Sequence, residues 1–253
     1  MRSMGGEDGD LRYFGVTIPL YIEDCYLREF DARVLRSGPG YVILDRSAFY
    51  PESGGQPSDT GILLNERQTL RVNKVVRRGG EVYHYVDGSL PPGVMVHGVL
   101  DWDRRYLNMR RHSGEHLLTG LFEKFGSGPK VYSDITRLEF QPSHLGLEAL
   151  NHVEEEFRRI VEEDIPIRIY YAHRSEIDVC GDPRKMEFLE KIPRGVKMLR
   201  MVEIPGYSRT FCFGTHVRST GEIGHLSKLE LVVGKRNRKI ILFDLETQTH
   251  KTG

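Results

Sequence analysis

Between Tyr13 and about Leu100, the sequence contains no segment that sustains the hydrophobic period of an α-helix long enough to form a good helix. Short β-rich runs alternate there with glycine and proline, as in DARVLRSGPGYVILDRSAFY and VMVHGVLDW. Runs of this length that are bounded by turn residues are typical of small all-β folds. The sequence therefore predicts a β-barrel domain over residues 13–100.

The character of the sequence changes at Asp101. The segment DWDRRYLNMRRHSGEHLLTGLFEKFG starts with an aspartate suited to cap a helix, repeats apolar residues at helical spacing and ends at Gly126. It predicts a long helix, with Gly114 as a candidate for a kink. Residues 101–253 are predicted to form a second domain, and the whole chain is predicted to be α+β. Its other expected elements are helices at LEALNHVEEEFRRIVEED and GDPRKMEFLEKIP, strands at DITRLEFQ, IPIRIYYAH and VKMLRMVEI, and a hairpin at LSKLELVVGKRNRKIILFDLE.

Charge limits the possible partners. The 36 basic and 36 acidic residues cancel, and the isoelectric point is near 7.2. A protein that coats nucleic acid through bulk positive charge is therefore excluded, and any contact with nucleic acid must come from a local cluster. Such clusters are more often solvated surface than binding sites. They occur at Arg104-Arg105, at Arg110-Arg111, and at Lys235, Arg236, Arg238 and Lys239.

The sequence predicts a protein with no membrane partner. No run approaches the roughly 18 apolar residues of a membrane span, and the N-terminus has acids and glycines where a signal peptide has its apolar region. We therefore expect a cytoplasmic protein whose residues Met1 to Asp10 form a mobile tail. The three cysteines lie far apart in a chain without export features, so a disulfide framework is not expected.

Two pairs of residues suggest a metal site. His112 and His116, in HSGEH, are four residues apart on the predicted helix, so their imidazoles lie on one face. Cys212 and His216, in FCFGTH, lie on a predicted tight turn. Three imidazoles and a thiol are donors that zinc prefers. The pairs together predict one zinc site, whereas Cys180 is predicted to be a buried thiol.

The chemical role of this zinc stays open at the level of sequence. Four protein ligands are typical of structural zinc, whereas catalytic zinc keeps one position for water. Glu115 directly precedes His116, but the order differs from the HExxH motif of zinc proteases, in which the acid follows the first histidine. Glu115 is thus a candidate general base or a hydrogen-bonding residue.

A glycine-rich stretch in the first half has two interpretations. FYPESGGQPSDTG, from Phe49 to Gly61, is compatible with a plain connection between strands, because Gly54 and Gly55 can adopt positive φ. It is equally compatible with a loop that brings its backbone and Gln56 to a binding site.

Three motifs in this order, FYPESGGQPSDTG, HSGEHLL and CFGTHVRSTGEIG, resemble the editing region of alanyl-tRNA synthetase and, more closely, the free-standing AlaX family. The likeness runs from about Tyr13 to Asp244, and nothing resembles the aminoacylation domain. It implies a hydrolase that removes a wrong amino acid, usually serine and sometimes glycine, from the alanine tRNA. One departure is Phe213, where the family commonly has glycine. By this resemblance the zinc ligands are His112, His116, Cys212 and His216.

The resemblance also implies substrate contacts. It places the glycine-rich loop near the editing site, where Gly54 and Gly55 would approach the tRNA end and Gln56 a polar group. A hydrogen bond to the serine hydroxyl would favour serine over alanine. The candidates for that bond are Ser133, which we favour, Asp134 and Thr136. The candidates for phosphate binding are Arg110, Arg111, Lys235 and Arg236.

Two other functions fit the same sequence. A structural zinc could clamp a module that binds tRNA or a synthetase without hydrolysing anything. Alternatively, the chain could be a zinc hydrolase of free amino acid esters or small amides. The sequence predicts no oligomeric state.

Overall fold

The structure is a computed structural model that describes residues 16–127, 130–141, 143–177 and 183–247. The predicted N-terminal tail and Cys180 lie outside these residues. Within them, no helix is both long and apolar enough to cross a membrane.

Six strands of the first half close into a barrel in the order β2-β3-β7-β6-β5-β8, which confirms the predicted architecture. Its interior is filled by inward-facing residues, which alternate with outward-facing ones along the strands; among them are Val34, Val42, Leu63 and Val75. The elements are β1 (Ile18–Pro19), α1 (Leu20–Glu23), β2 (Glu29–Gly38), β3 (Tyr41–Leu44), β4 (Arg46–Ser47), β5 (Gly61–Leu64), β6 (Thr69–Arg78), β7 (Glu81–Val86) and β8 (Met95–Leu100).

The described residues of the second half form three α-helices and two antiparallel sheets, so the α+β class is confirmed. One sheet has the order β14-β15-β10-β9 and the other β11-β12-β13. The sequence did not predict β13, which leads directly into the CFGTH turn. The elements are α2 (Trp102–Lys124), β9 (Lys130–Asp134), β10 (Arg137–Phe140), α3 (Leu147–Glu163), β11 (Arg168–His173), α4 (Pro183–Lys191), β12 (Met198–Ile204), β13 (Ser208–Phe211), β14 (Leu226–Val233) and β15 (Lys239–Leu245).

Helix α2 is the central element of the second half. The Asp101 side chain caps it by accepting a hydrogen bond from Arg104 N, and the chain leaves the helix before Gly126, as predicted. The helix continues through Gly114 without interruption. A bend of its axis at this glycine stays a prediction. Gly114 faces Ile223, and a Cβ there would lie 3.4 Å from Ile223 Cγ2, which is ordinary van der Waals contact.

A buried ion pair fixes the barrel to α2. Arg105 and Asp59 are both fully buried, and Arg105 Nε donates to Asp59 Oδ2 at 2.9 Å. The same guanidinium donates to the carbonyls of Cys25 and Ala48. Asp59 also accepts from Tyr50 N at 2.6 Å. Because a buried charge left without its partner is strongly destabilising, this network holds both ends of the 49–61 loop in place beside the helix.

Candidate metal centre

Four side chains from two distant segments converge. His112 and His116 lie one turn apart on α2, and Cys212 and His216 lie on the turn that follows β13. One potential ligand atom from each residue lies within 4.8 Å of the others. Cys212 Sγ is 3.5 Å from His112 Nε2 and 3.4 Å from His216 Nε2. The three histidines are buried and Cys212 is partly exposed. His112, His116 and Cys212 line one cavity, so the cluster faces that cavity.

The turn reaches the helix because of its glycine and a buried arginine. A Cβ at Gly214 would lie 2.0 Å from His112 Cε1, so any larger residue would push the turn away from the imidazole. Arg200, on β12, is fully buried and donates to the carbonyl oxygens of Cys212 at 2.7 Å and of Gly214 at 3.0 Å. These contacts hold the cysteine and glycine in position beneath the helix.

A second layer of hydrogen bonds sets the orientation of His112. Gln56 Oε1 lies 2.8 Å from His112 Nδ1 and accepts from Thr215 N at 3.2 Å. Since the backbone N–H of Thr215 can only donate, the atom facing it is the carboxamide oxygen, and His112 Nδ1 must carry the proton. His112 Nε2 is then the basic nitrogen, and it points at the cluster. Similarly, His216 Nδ1 lies 3.1 Å from Ser113 Oγ.

Burial suits the cluster to a cation. It lowers the pKa of His112 to about 4 and that of His216 well below its usual value, so both imidazoles are neutral and available as ligands. Burial also raises the pKa of the Cys212 thiol to about 11, and a bound divalent cation would remove that proton. The donors present therefore fit a metal ion of zinc's type.

Glu115 is held in an ion pair beside this cluster. Its Oε1 accepts from Lys130 Nζ at 2.6 Å and from Thr119 Oγ1 at 3.0 Å. Burial by itself would raise the Glu115 pKa, but the Lys130 ammonium outweighs it and the pKa falls to about 2. A carboxylate that is this acidic and this well hydrogen-bonded is a weak proton acceptor, which favours the hydrogen-bonding role over that of a general base.

The glycine-rich loop packs against the end of β9 and the turn that follows it. Gly55 has a φ of +83°, and a Cβ there would lie 2.8 Å from Ser133 O and from Asp134 Cα. Its carbonyl accepts from Ile135 N at 3.3 Å. The next residue, Gln56, is 1% exposed and its amide is bonded to His112 and Thr215. The expectation that Gln56 contacts substrate is therefore corrected: its side chain holds a histidine of the cluster.

The cluster borders a cavity of about 310 Å³. Of the predicted contacts, Gly54 and Ser133 line it. Asp134 and Thr136 bond to each other instead, with Asp134 Oδ1 accepting from Thr136 N at 2.8 Å and from its Oγ1 at 2.9 Å, because they form the turn between β9 and β10. The described lining residues are Tyr50, Ser53, Gly54, His112, Glu115, His116, Lys130, Tyr132, Ser133, Phe188, Thr210, Phe211, Cys212, Phe213 and Gly214.

The two predicted phosphate-binding pairs differ in surroundings. Arg110 is 2% exposed and donates to the carbonyls of Ile223 and Glu246, both at 2.9 Å. Arg111 pairs with Asp244 at 2.7 Å. Both arginines tie α2 to the C-terminal segment. The buried Arg110 is thereby kept from phosphate, whereas phosphate binding by the partly exposed Arg111 stays a prediction. Lys235 and Arg236, by contrast, are exposed on the turn between β14 and β15.

Several residues of the site were not identified from the sequence. Ser113 and Thr215 lie inside the two ligand motifs, and their position next to a ligand was a usable signal. Lys130, Phe188 and Arg200 carry no local signal, because their roles depend on partners far along the chain.

Two family models match the chain. Residues 22–104 match the model described as class II (A) tRNA synthetases, and residues 199–240 match that of the threonyl and alanyl tRNA synthetase second additional domain. The chain is 36% identical over 245 residues to the alanyl-tRNA editing protein AlaX-M of Methanosarcina acetivorans, covering 89% of this chain and 98% of the relative. It is 34% identical over 241 residues to AlaX-M of Saccharolobus solfataricus, covering 91% and 100%.

A second group of relatives is much longer. The chain is 36% identical over 223 residues to the alanine–tRNA ligase of Ignicoccus hospitalis, covering 84% of this chain but only 24% of the ligase. The chain thus spans about a quarter of the ligase and nearly all of the two AlaX-M proteins.

Proposed function

Because this chain belongs to the AlaX family of alanyl-tRNA editing proteins, we propose that it is a trans-editing hydrolase that deacylates mischarged alanine tRNA. Its substrates are the seryl ester and, as a second substrate, the glycyl ester. The observation that carries the proposal is the convergence of His112, His116, Cys212 and His216 beside a cavity that the glycine-rich loop borders. Under this proposal the barrel forms one domain and residues 101–253 the deacylase domain.

The cofactor in this proposal is zinc, held by those four residues. Bound there, zinc would supply Lewis-acid polarisation of the ester carbonyl or an activated water. The protein's own groups prepare the site. Gln56 and Ser113 orient His112 and His216, and Gly214 N donates to Cys212 Sγ at 3.4 Å, which favours the thiolate. Cys212, the partly exposed donor, marks the side from which an ester can approach.

Substrate choice is assigned to Ser133. It lies on β9, lines the cavity and is only partly buried, so its hydroxyl can bond the hydroxyl of a seryl group. A site built around such a bond favours serine, because alanine leaves the polar group without its partner. The Lys130–Glu115 pair lines the same cavity, and each charge compensates the other there.

A non-catalytic module with a structural zinc is the second candidate. Four protein donors within 4.8 Å of one another favour it, because structural zinc sites are closed. In this reading the protein binds tRNA or a synthetase, and the zinc only holds the CFGTH turn against α2.

The deciding experiment measures hydrolysis of serine-charged alanine tRNA by protein of known zinc content, before and after chelation and after zinc is restored. We expect hydrolysis that chelation abolishes and zinc restores. Zinc-loaded, folded protein that leaves the ester intact would support the binding module. Serine methyl ester tested in parallel separates a tRNA editor from a hydrolase of small esters, which would prefer the methyl ester.

A further inference from the structure

Helix α4 places one aromatic side chain, Phe188, against β13, the strand that leads to the ligand candidate Cys212. The ring of Phe188 stacks on that of Phe211, with centroids 5.3 Å apart and planes 7° from parallel. Phe211 is 5% exposed and directly precedes Cys212, whereas Phe188 is 45% exposed. Phe188 is thus a rigid ring with one face supported by the protein and much of its surface in contact with solvent.

Core packing explains only one face of Phe188. Its ring lies on Phe211, which belongs to the same core cluster as Ile192 just beyond the helix, yet Phe188 is 45% exposed whereas Ile192 is 1% exposed. Phe188 lines the cavity that also contains His112, His116 and Cys212. Among the described lining residues, it is the one that α4 contributes. Aromatic side chains that line a cavity beside a few polar groups are typical of ligand sites.

We propose that Phe188 stacks the terminal adenine base of the tRNA, which forms a base subsite beside the metal cluster. This inference rests on the proposed function, since it assumes that the substrate is an ester of the tRNA's terminal adenosine. In such an ester the base is one ribose ring away from the bond to be cleaved. Single-stranded nucleic acid ends are commonly bound by stacking unpaired bases on aromatic side chains.

Size and charge both favour this occupant. A cavity of about 310 Å³ is at the lower end of the range for ligand pockets, and it suits an aminoacyl group with one nucleoside rather than a longer stretch of RNA. Among the described lining residues, which include no arginine, the one lysine is Lys130, and it is paired with Glu115. The affinity for the tRNA end at this site is therefore supplied by ring stacking more than by phosphate contacts.

The first arm of the test measures binding without any reaction. Adenosine 5′-monophosphate and ribose 5-phosphate are titrated calorimetrically into the full chain. Compared are the wild type, Phe188→Leu, Phe188→Tyr and, as a control for an exposed α4 side chain outside the described cavity lining, Met186→Leu. We expect Phe188→Leu to weaken binding of the nucleotide about tenfold, as for loss of one stacked base, with the other variants and the baseless sugar phosphate unaffected.

The second arm measures kcat/KM for serine-charged alanine tRNA with the same variants at matched zinc content. We expect about a tenfold loss for Phe188→Leu, mainly through KM, and no loss for Phe188→Tyr. Phe188→Met supplies a second non-aromatic side chain if the leucine variant does not fold.

The arms separate the possible failures. Deacylation that is equal in the wild type and Phe188→Leu overturns the inference while the editing function stands. Nucleotide binding that depends on Phe188 without any such effect on tRNA would assign the ring to a free nucleotide and also overturn it. Binding that depends on Phe188 in a protein that cleaves no ester would support the adenine subsite and refute the hydrolase.

Discussion

The barrel and the second half each contain a buried histidine, and the two share their burial and a lowered pKa. His84, on β7 inside the barrel, is fully buried, and His112, on α2, is 5% exposed. Burial lowers the pKa of both imidazoles to about 4. By burial and pKa alone, the two histidines could not be assigned different roles.

Their ring nitrogens distinguish them. In the barrel, His84 Nε2 lies 2.7 Å from Ser47 Oγ and Nδ1 lies 3.4 Å from Val42 O, so both nitrogens have protein partners. His112 Nδ1 is hydrogen-bonded to Gln56, and Nε2 faces the potential metal-ligand atoms of His116, Cys212 and His216. A perturbed pKa is therefore a sign of burial, whereas convergent lone pairs are the sign of a metal site.

The largest effect that would test this distinction is loss of a ligand. We expect His116→Ala to lose zinc and to lower deacylation about a thousandfold or more, because a Lewis acid contributes several kcal/mol and each 1.36 kcal/mol is a factor of ten. His84→Gln should keep both zinc content and turnover. Elemental analysis and a deacylation assay on the two purified variants measure this. Zinc loss in His84→Gln, or full activity in His116→Ala, would invalidate the comparison.

The next effect concerns the pH dependence of stability. The pKa of His84 is about 4 in the folded barrel and 6.5 in an ordinary environment, so the unfolded chain takes up a proton that the folded chain does not. Stability from a neutral His84 is therefore fully present above pH 6.5 and lost as pH falls to 4, by about 3 kcal/mol.

Urea unfolding of the wild type and of His84→Gln at several pH values between 7.5 and 4 measures this contribution as a difference. The metal-site histidines are common to both proteins and cancel. We expect the wild type to lose more stability than the variant on acidification. Parallel pH profiles for the two proteins would show that His84 does not titrate in this way.

A smaller effect is expected from the hydrogen bond that joins the barrel's loop to α2. Gln56 belongs to the barrel's loop but holds His112, so Gln56→Ala should weaken zinc binding or activity by about 10 to 100-fold without unfolding the barrel. Gln68→Ala is the matched control, since Gln68 is an exposed barrel glutamine that donates to Ser89 O. Competition with a chromogenic chelator measures zinc affinity. Equal affinity and equal turnover in the two variants would leave Gln56 a purely structural role.

The smallest effect concerns the surface. Lys235→Ala with Arg236→Ala should raise KM for charged tRNA severalfold and reduce the slope of log affinity against log salt by about 1 for each lost phosphate contact. Lys228→Ala, on the same sheet and paired with Glu230, is the control. Zinc content should be unchanged in all variants. A wild-type salt slope in the double variant would place the phosphate contacts on another surface.

Much of the fold was predictable because its signals are local. The cap at Asp101, the end of α2 before Gly126 and the hairpin of β14 and β15 each depend on a few neighbouring residues. Strand β13 escaped prediction because it is only four residues long and is defined by its pairing with β12.

The sequence by itself determined which donor atoms are present and that two of them share one helix face, since a spacing of four residues fixes that geometry locally. Only the tertiary structure decided what surrounds them. Gln56 meets His112 across 56 residues, and Ser113 meets His216 across 103. The same long-range packing buries Arg110 on carbonyls instead of exposing it to phosphate. Contacts of this kind form when the barrel closes and its loop packs on β9. Local propensity depends only on neighbouring residues, so it cannot predict them.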